Sequence, residues 1–133
     1  MAEIVWLLEA TVRAIHYRQL AEHGGSEGLR DEGLLLSALA RPQNLLAYDE
    51  PPPDLAALAA AYAHGIARNH PFVDGNKRTA LVAARTLLLL KGADLAASQD
   101  EKYLTFLHLA QGTLTEEDLA DWIRERICEP LSS

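Results

Sequence analysis

A single cysteine, Cys128, stands in 133 residues. Neither a disulfide framework nor a cysteine metal cluster can form, and a reducing, cytoplasmic setting fits. Aromatic residues are also sparse, at 6%, so the core must be aliphatic. Alanine and leucine, both strong helix formers, supply it. Runs of Val, Ile, Thr or aromatic residues, which favour strands, are few. These shortages predict an all-α fold. Cations are in deficit too, with 12 Lys and Arg against 19 Asp and Glu and a net charge of −7. That balance argues against general nucleic-acid binding, which needs cations to displace counterions from phosphates. Glu3, Glu9 and Arg13 interrupt the first apolar residues, so no signal-peptide core is expected. The apolar stretch near residues 79–90 contains Arg85 and is too short to span a bilayer. His16, His23, His64 and His108 form no His-x-x-x-His pair, which argues against a zinc site. Ser26 and Ser37 sit in no nucleophile elbow, and Cys128 reads as a small buried or half-buried side chain, not a nucleophile.

The length favours one domain, residues 1–133, since domains usually run to about 100–150 residues. Charge is distributed unevenly along it. Residues 1–53 carry −4 and residues 93–133 carry −6, whereas residues 54–92 carry +3 through Arg68, Lys77, Arg78, Arg85 and Lys91. A basic middle in an acidic chain points to a local anion site; a solvated helix face is the alternative.

Apolar periodicity and capping residues give six helices. The first runs from Ile4 to Ala21, and Gly24-Gly25 ends it. Asp31 caps a short second helix that Pro42 closes. Residues 42–53 hold four of the six prolines and read as an extended connection. Asp54 caps a third helix, Leu55 to about Asn69, apolar nearly all round and therefore central. Asn76 to Lys91 forms the fourth, ending at Gly92. Asp100 to Ala110 forms the fifth, with Tyr103, Leu104, Leu107 and Leu109 as its apolar positions. Thr115 caps the sixth, whose inner stripe is Leu119, Trp122, Ile123 and Ile127.

The chemistry is concentrated between the third and fourth helices, in His70-Pro71-Phe72-Val73-Asp74-Gly75-Asn76-Lys77-Arg78. His70 can accept a proton near neutral pH. Asp74 is a hard oxygen ligand of the kind that binds Mg²⁺ alongside substrate phosphates. Gly75 admits a positive φ and a close approach. The backbone N–H groups of Gly75 to Arg78 fall at a helix start, where partners are lacking and the macrodipole is positive. Arg78, with Lys77, adds charge for phosphate oxygens. Phe72 reads as a buried anchor. Each residue also has a plain alternative: His70 as a loop histidine, Asp74 as the N-cap of the fourth helix, Lys77 and Arg78 as solvated cations. Their joint spacing favours the site.

These nine residues resemble the signature of the Fic/Doc family, His-x-Phe-x-Asp/Glu-Gly-Asn-x-Arg. Gly28-Leu29-Arg30-Asp31-Glu32-Gly33-Leu34-Leu35, Ser37-Ala38-Leu39, Arg68-Asn69 and Thr79-Ala80 are similar to its death-on-curing (Doc) branch. The likeness covers residues 10–127. It implies a compact six-helix bundle with the active-site loop between two central helices. It implies His70 as general base on a target hydroxyl, Asp74 as the Mg²⁺ ligand, and Gly75, Asn76 and Arg78 around the phosphates of ATP, with Lys77 beside them. Phe72 would be structural, Arg68 a further site candidate, and the stiff segment 43–53 would lie near the flap that guides the target.

Two positions depart from the adenylyl-transferring members, which usually carry glycine where this chain has Lys77 and a second arginine where it has Leu81. Without that arginine, the pose that presents the α-phosphate lacks a charge-assisted contact of roughly 1.5–3 kcal/mol. Lys77 without the second arginine resembles the Doc branch, whose reaction is γ-phosphoryl transfer to a protein hydroxyl. The resemblance thus implies a toxin acting on elongation factor Tu and held in check by a small antitoxin in trans; the acidic balance and the short apolar stretches predict no direct nucleic-acid or membrane contact. Fic-type AMP transfer and a catalytically silent nucleotide-binding module are the alternatives. The stretch nearest the family's self-inhibitory helix, Thr113 to Asp118, reads as a helix cap.

Overall fold

The computed structural model describes residues 6–129. Among them are six helices: α1 (Glu9–His23), α2 (Glu32–Tyr48), α3 (Leu55–Asn69), α4 (Asn76–Leu90), α5 (Gln99–Gln111) and α6 (Glu116–Arg126). One small antiparallel ribbon joins β1 (Asp94–Leu95) to β2 (Ile127–Cys128), with Asp94 opposite Cys128. The fold is all-α apart from that ribbon. No described helix is long and apolar enough to cross a membrane.

The axis of the bundle is α3, which packs against α2, α4, α5 and α6. Its alanine-rich surface explains how four helices can crowd around it, because small side chains let backbones approach. Gly65 shows the limit: a Cβ there would sit 3.0 Å from both Cα and Cβ of Ala38 on α2. Tyr62, fully buried on α3, accepts a hydrogen bond from the Leu7 N–H at 3.0 Å and so satisfies its hydroxyl inside the core. The expected caps are present. Asp31, Asp54 and Thr115 accept from the N–H groups of Leu34, Ala57 and Asp118 at 3.0, 2.9 and 3.0 Å.

Three expectations are corrected. The first helix begins at Glu9; Leu7 and Leu8 precede it, and Ile4 lies outside the described residues. Leu7 is drawn into the core as extended chain by its bond to Tyr62, so its apolar character reflects burial and not helical phase. Pro42 does not close the second helix, which continues through it to Tyr48. The ring is buried on the face that meets α3, and that packing outweighs the lost hydrogen bond and steric clash of an interior proline. The extended connection is correspondingly confined to residues 49–54. On α5, Tyr103 and Leu104 are exposed, whereas Phe106 and Leu109 are buried. This helix starts with a full capping box, Ser98 with Glu101.

Candidate active site

The loop between α3 and α4 is held from three sides. At its start His70 takes a left-handed conformation (φ 50, ψ 56), its N–H donating to the Ile66 carbonyl at 3.3 Å. A non-glycine residue in this region is strained, and its neighbours must hold it there. Arg30 supplies that hold: its Nε donates to the His70 carbonyl at 2.6 Å and its Nη2 to the Asn69 carbonyl at 2.7 Å. The chain before α2 also pairs with the loop. Arg30 and Asp31 donate their N–H groups to the Pro71 carbonyl, Val73 donates to the Gly28 carbonyl, and Leu29 bridges Phe72.

The inner side is anchored by Phe72, 2% exposed. Its ring stacks on His16 of α1 with centroids 3.8 Å apart and planes 8° from parallel. Asn76, also buried, folds back on the same residue: its Oδ1 accepts from the Phe72 N–H at 3.0 Å and its Nδ2 donates to the Phe72 carbonyl at 2.9 Å. The side chain of Asn76 is thus committed to shaping the loop, and it is the backbone N–H that remains for a ligand.

Asp74 does not cap α4. The N-cap is Gly75 (φ 78), which makes no side-chain cap bond. Asp74 stands one residue earlier, where its Oδ1 accepts from the Gly75 N–H at 2.9 Å and its Oδ2 from the Ser26 N–H at 3.3 Å. Gly25 makes room for that carboxylate, since a Cβ there would approach Oδ2 to 2.9 Å. The first ladder bond of α4 runs from the Thr79 N–H to the Gly75 carbonyl at 3.0 Å. The amides of Asn76, Lys77 and Arg78 therefore precede the ladder at the positive end of a 15-residue helix.

His70, Asp74, Gly75, Lys77, Arg78 and Ala110 line one open cleft of about 290 Å³. The His70 ring and the Arg78 guanidinium make no hydrogen bond or ion pair among the described residues, so both are available to a ligand. Lys77 leans away towards α5, with Nζ 4.5 Å from the Tyr103 ring centroid and 3.5 Å from its hydroxyl. Arg68 is not part of this cleft. It donates to the Ala110 carbonyl at 3.1 Å and faces a neighbouring hollow with Arg41, His64 and Glu116. Arg85, another cation of the basic middle, is taken up by a two-pronged contact with Asp94 at 2.8 and 3.1 Å. That guanidinium holds the Asp94 carboxyl down at about 2.

Asp74 is the carboxylate of this cleft, and no described cluster of three or more His, Cys, Asp or Glu could cage a metal. One carboxylate beside a helix start with unpaired amides suits Mg²⁺, which takes few protein ligands and completes its shell with water and phosphate oxygens. The donor set fits that ion and a polyphosphate.

Three residues that matter here were not singled out by composition or spacing: His16, Arg30 and Asn69, whose Nδ2 donates to the Leu34 carbonyl at 3.0 Å. His16 left a trace, since it follows the buried Val12 by four residues on the inner stripe of α1. Arg30 and Asn69 work through backbone carbonyls, which no pattern of side-chain types announces.

A profile of the Fic/DOC family matches residues 6–88. Over 77 residues the chain is 49% identical to "Toxin Doc" of Mycolicibacterium smegmatis, a stretch covering 58% of this chain and 59% of that protein. Over 111 residues it is 34% identical to "Protein kinase doc" of Escherichia phage P1, covering 84% of this chain and 86% of that protein. The chain belongs to the Fic/DOC family, in its Doc branch.

Proposed function

We propose that this protein is a Doc-type toxin that transfers the γ-phosphoryl group of ATP to a hydroxyl of a protein target, elongation factor Tu being the expected one. The observation that carries this reading is the convergence in one cleft of an unpartnered imidazole, a single carboxylate and an unpaired helix start. The names of the two relatives, a toxin and a protein kinase, support the same direction.

In this reading the amides of Asn76 to Arg78 and the Arg78 guanidinium bind the phosphates. Asp74 would hold Mg²⁺, which supplies charge neutralisation at the phosphate oxygens when bound. The target oxygen bonds to the γ-phosphorus as the bond to the β–γ bridging oxygen breaks. ADP leaves, and the hydroxyl proton passes to the His70 ring. Lys77 beside the helix start and Leu81, half-buried against the core, support phosphoryl over AMP transfer, because no second cation stands one turn along α4 to hold a terminal phosphate. Control by a small antitoxin in trans is supported by Thr115: it caps α6, so the Thr113–Asp118 stretch serves the helix start and not the cleft.

The test is to incubate the protein with elongation factor Tu, Mg²⁺ and ATP labelled at either the α- or the γ-phosphorus. Gain of one phosphoryl group with γ-label is the expected result. Transfer of α-label would instead assign AMP transfer. Nucleotide binding without transfer to any protein of a lysate would mark a silent module.

A further inference from the structure

We propose that His16, on α1 and outside the signature, is a positioning residue of this active site, acting through the main chain of Asp74. The proposal rests on the transfer reading above for its kinetic consequence, but its geometric part stands without it. Three contacts place His16. Its Nε2 lies 2.8 Å from the Asp74 carbonyl oxygen. Its ring stacks on Phe72 at 3.8 Å. Its edge lies against Gly75, where a Cβ would come within 3.6 Å of His16 Cδ2 and 3.7 Å of Nε2. The residue is only 6% exposed, so it has a defined orientation.

A carbonyl oxygen can only accept, so the proton must be on Nε2 whenever the ring is neutral. That bond fixes the peptide plane between Asp74 and Gly75. The same plane carries the Gly75 N–H, which donates to Asp74 Oδ1. Turning it would swing the carboxylate and the left-handed N-cap together, and the helix-start amides follow the N-cap. Packing alone would require a flat ring at this position; positioning requires a buried N–H donor. The two demands can be separated by substitution.

H16F keeps a flat ring to stack on Phe72 and removes the donor. H16Q keeps an N–H donor of similar reach and removes the ring. If His16 positions Asp74, H16F lowers kcat by about 10–100-fold, the usual loss for a group that orients a ligand from behind. KM for ATP rises with it, because the helix-start amides follow the same peptide plane, and H16Q recovers most of both losses. A purely structural ring gives the opposite order, with H16F active and H16Q impaired.

Two spectroscopic arms do not depend on the reaction. Long-range proton–nitrogen spectra of the wild-type protein in mildly alkaline buffer should show His16 as the Nε2–H tautomer. The amide signals of Gly75 and Ser26, the two donors to the Asp74 carboxylate, should shift in H16F and return towards wild type in H16Q. An Nδ1–H tautomer, or unshifted Gly75 and Ser26 amides in H16F, overturns the proposal even if transfer is observed. Absence of any transfer by wild-type protein, with the tautomer and amide shifts as expected, removes the kinase reading and leaves the positioning role intact. If H16F does not fold, the wild-type tautomer and the H16Q amides decide.

Discussion

Asn76 and Phe72 exchange a pair of hydrogen bonds, the amide oxygen of one taking the N–H of the other at 3.0 Å and the amide nitrogen giving to its carbonyl at 2.9 Å. Both residues are buried, so removing the side chain strands two backbone groups without water. Each such group costs about 1–3 kcal/mol. Asn76→Leu should therefore lose roughly 2–6 kcal/mol of stability by the same reckoning. Asn76→Asp keeps the acceptor and should lose less. Chemical denaturation of both variants measures this, and equal losses would show that the bond accepted from the Phe72 N–H contributes nothing.

His70 sits in left-handed backbone, where a non-glycine residue is strained by roughly 1–2 kcal/mol. Glycine relieves that strain while adding about 0.5–1 kcal/mol of entropic cost. His70→Gly should accordingly melt at or above the wild-type temperature. It should also lose about 10²–10⁴-fold in transfer rate, the usual contribution of a general base. A stable variant that retains single-turnover activity would remove His70 from the role of base.

Asp74→Asn separates local structure from metal binding. The amide oxygen of Asn can still accept from the Gly75 N–H, and α4 is capped at Gly75 in any case. Stability should change little. Mg²⁺ affinity, read by isothermal titration in the presence of a nucleotide, should fall because the cleft loses its carboxylate. Unchanged Mg²⁺ affinity would show that the ion is held elsewhere.

Much of this architecture is legible in the amino-acid sequence. Asp31, Asp54 and Thr115 could be read as caps because an N-cap is a local device, a short side chain reaching an amide three residues on. The signature loop was legible for the same reason, its groups lying within nine consecutive residues. What escaped was non-local. Pro42 carries a strong local stop signal, and only the packing of α2 on α3 overrides it. Leu7 matches helical phase yet is placed by Tyr62, 55 residues away. His16 acts on Asp74 across 58 residues and Arg30 on His70 across 40. The nine signature residues therefore bring the candidate groups into one loop but do not show the scaffold that aims them.

His64 should give the protein a pH dependence outside the active site. Burial lowers its pKa from the usual value of 6.5; Arg41 and Arg68 push the same way, and Glu116 and Glu117 oppose them. Its Nδ1 is buried without a partner. Because the folded-state pKa is depressed, the stabilisation is complete above 6.5 and fades as pH falls through the folded value. The carboxylates Asp94 and Asp54, lowered by Arg85 and Arg124, act only below about pH 4 and leave this window clear. Melting temperature should decline from about pH 7 to about pH 5, and more shallowly in His64→Gln. Identical slopes in the two proteins would exclude His64 as the cause.

We predict that two positions of α4 govern the choice between phosphoryl and AMP transfer. Lys77 lies at its first turn, its ammonium drawn over the Tyr103 ring at 4.5 Å, and Leu81 lies one turn further along, lining the adjacent groove with Arg78 and Tyr103. Residues three or four apart share a helix face, so an arginine at position 81 would extend beside Arg78 towards phosphates held at the helix start. Lys77→Gly removes a side chain from the mouth of that start, and Leu81→Arg adds a contact worth about 1.5–3 kcal/mol, roughly 10–150-fold in favour of the pose that presents the α-phosphate. The double variant should move label from the γ- to the α-position on the target, with each single variant intermediate. Leu81 is half-buried against the core, so stability should fall somewhat, and a melting curve must accompany the assay. A folded double variant that transfers only γ-label would show that the pose is set by adenine contacts and not by these two side chains.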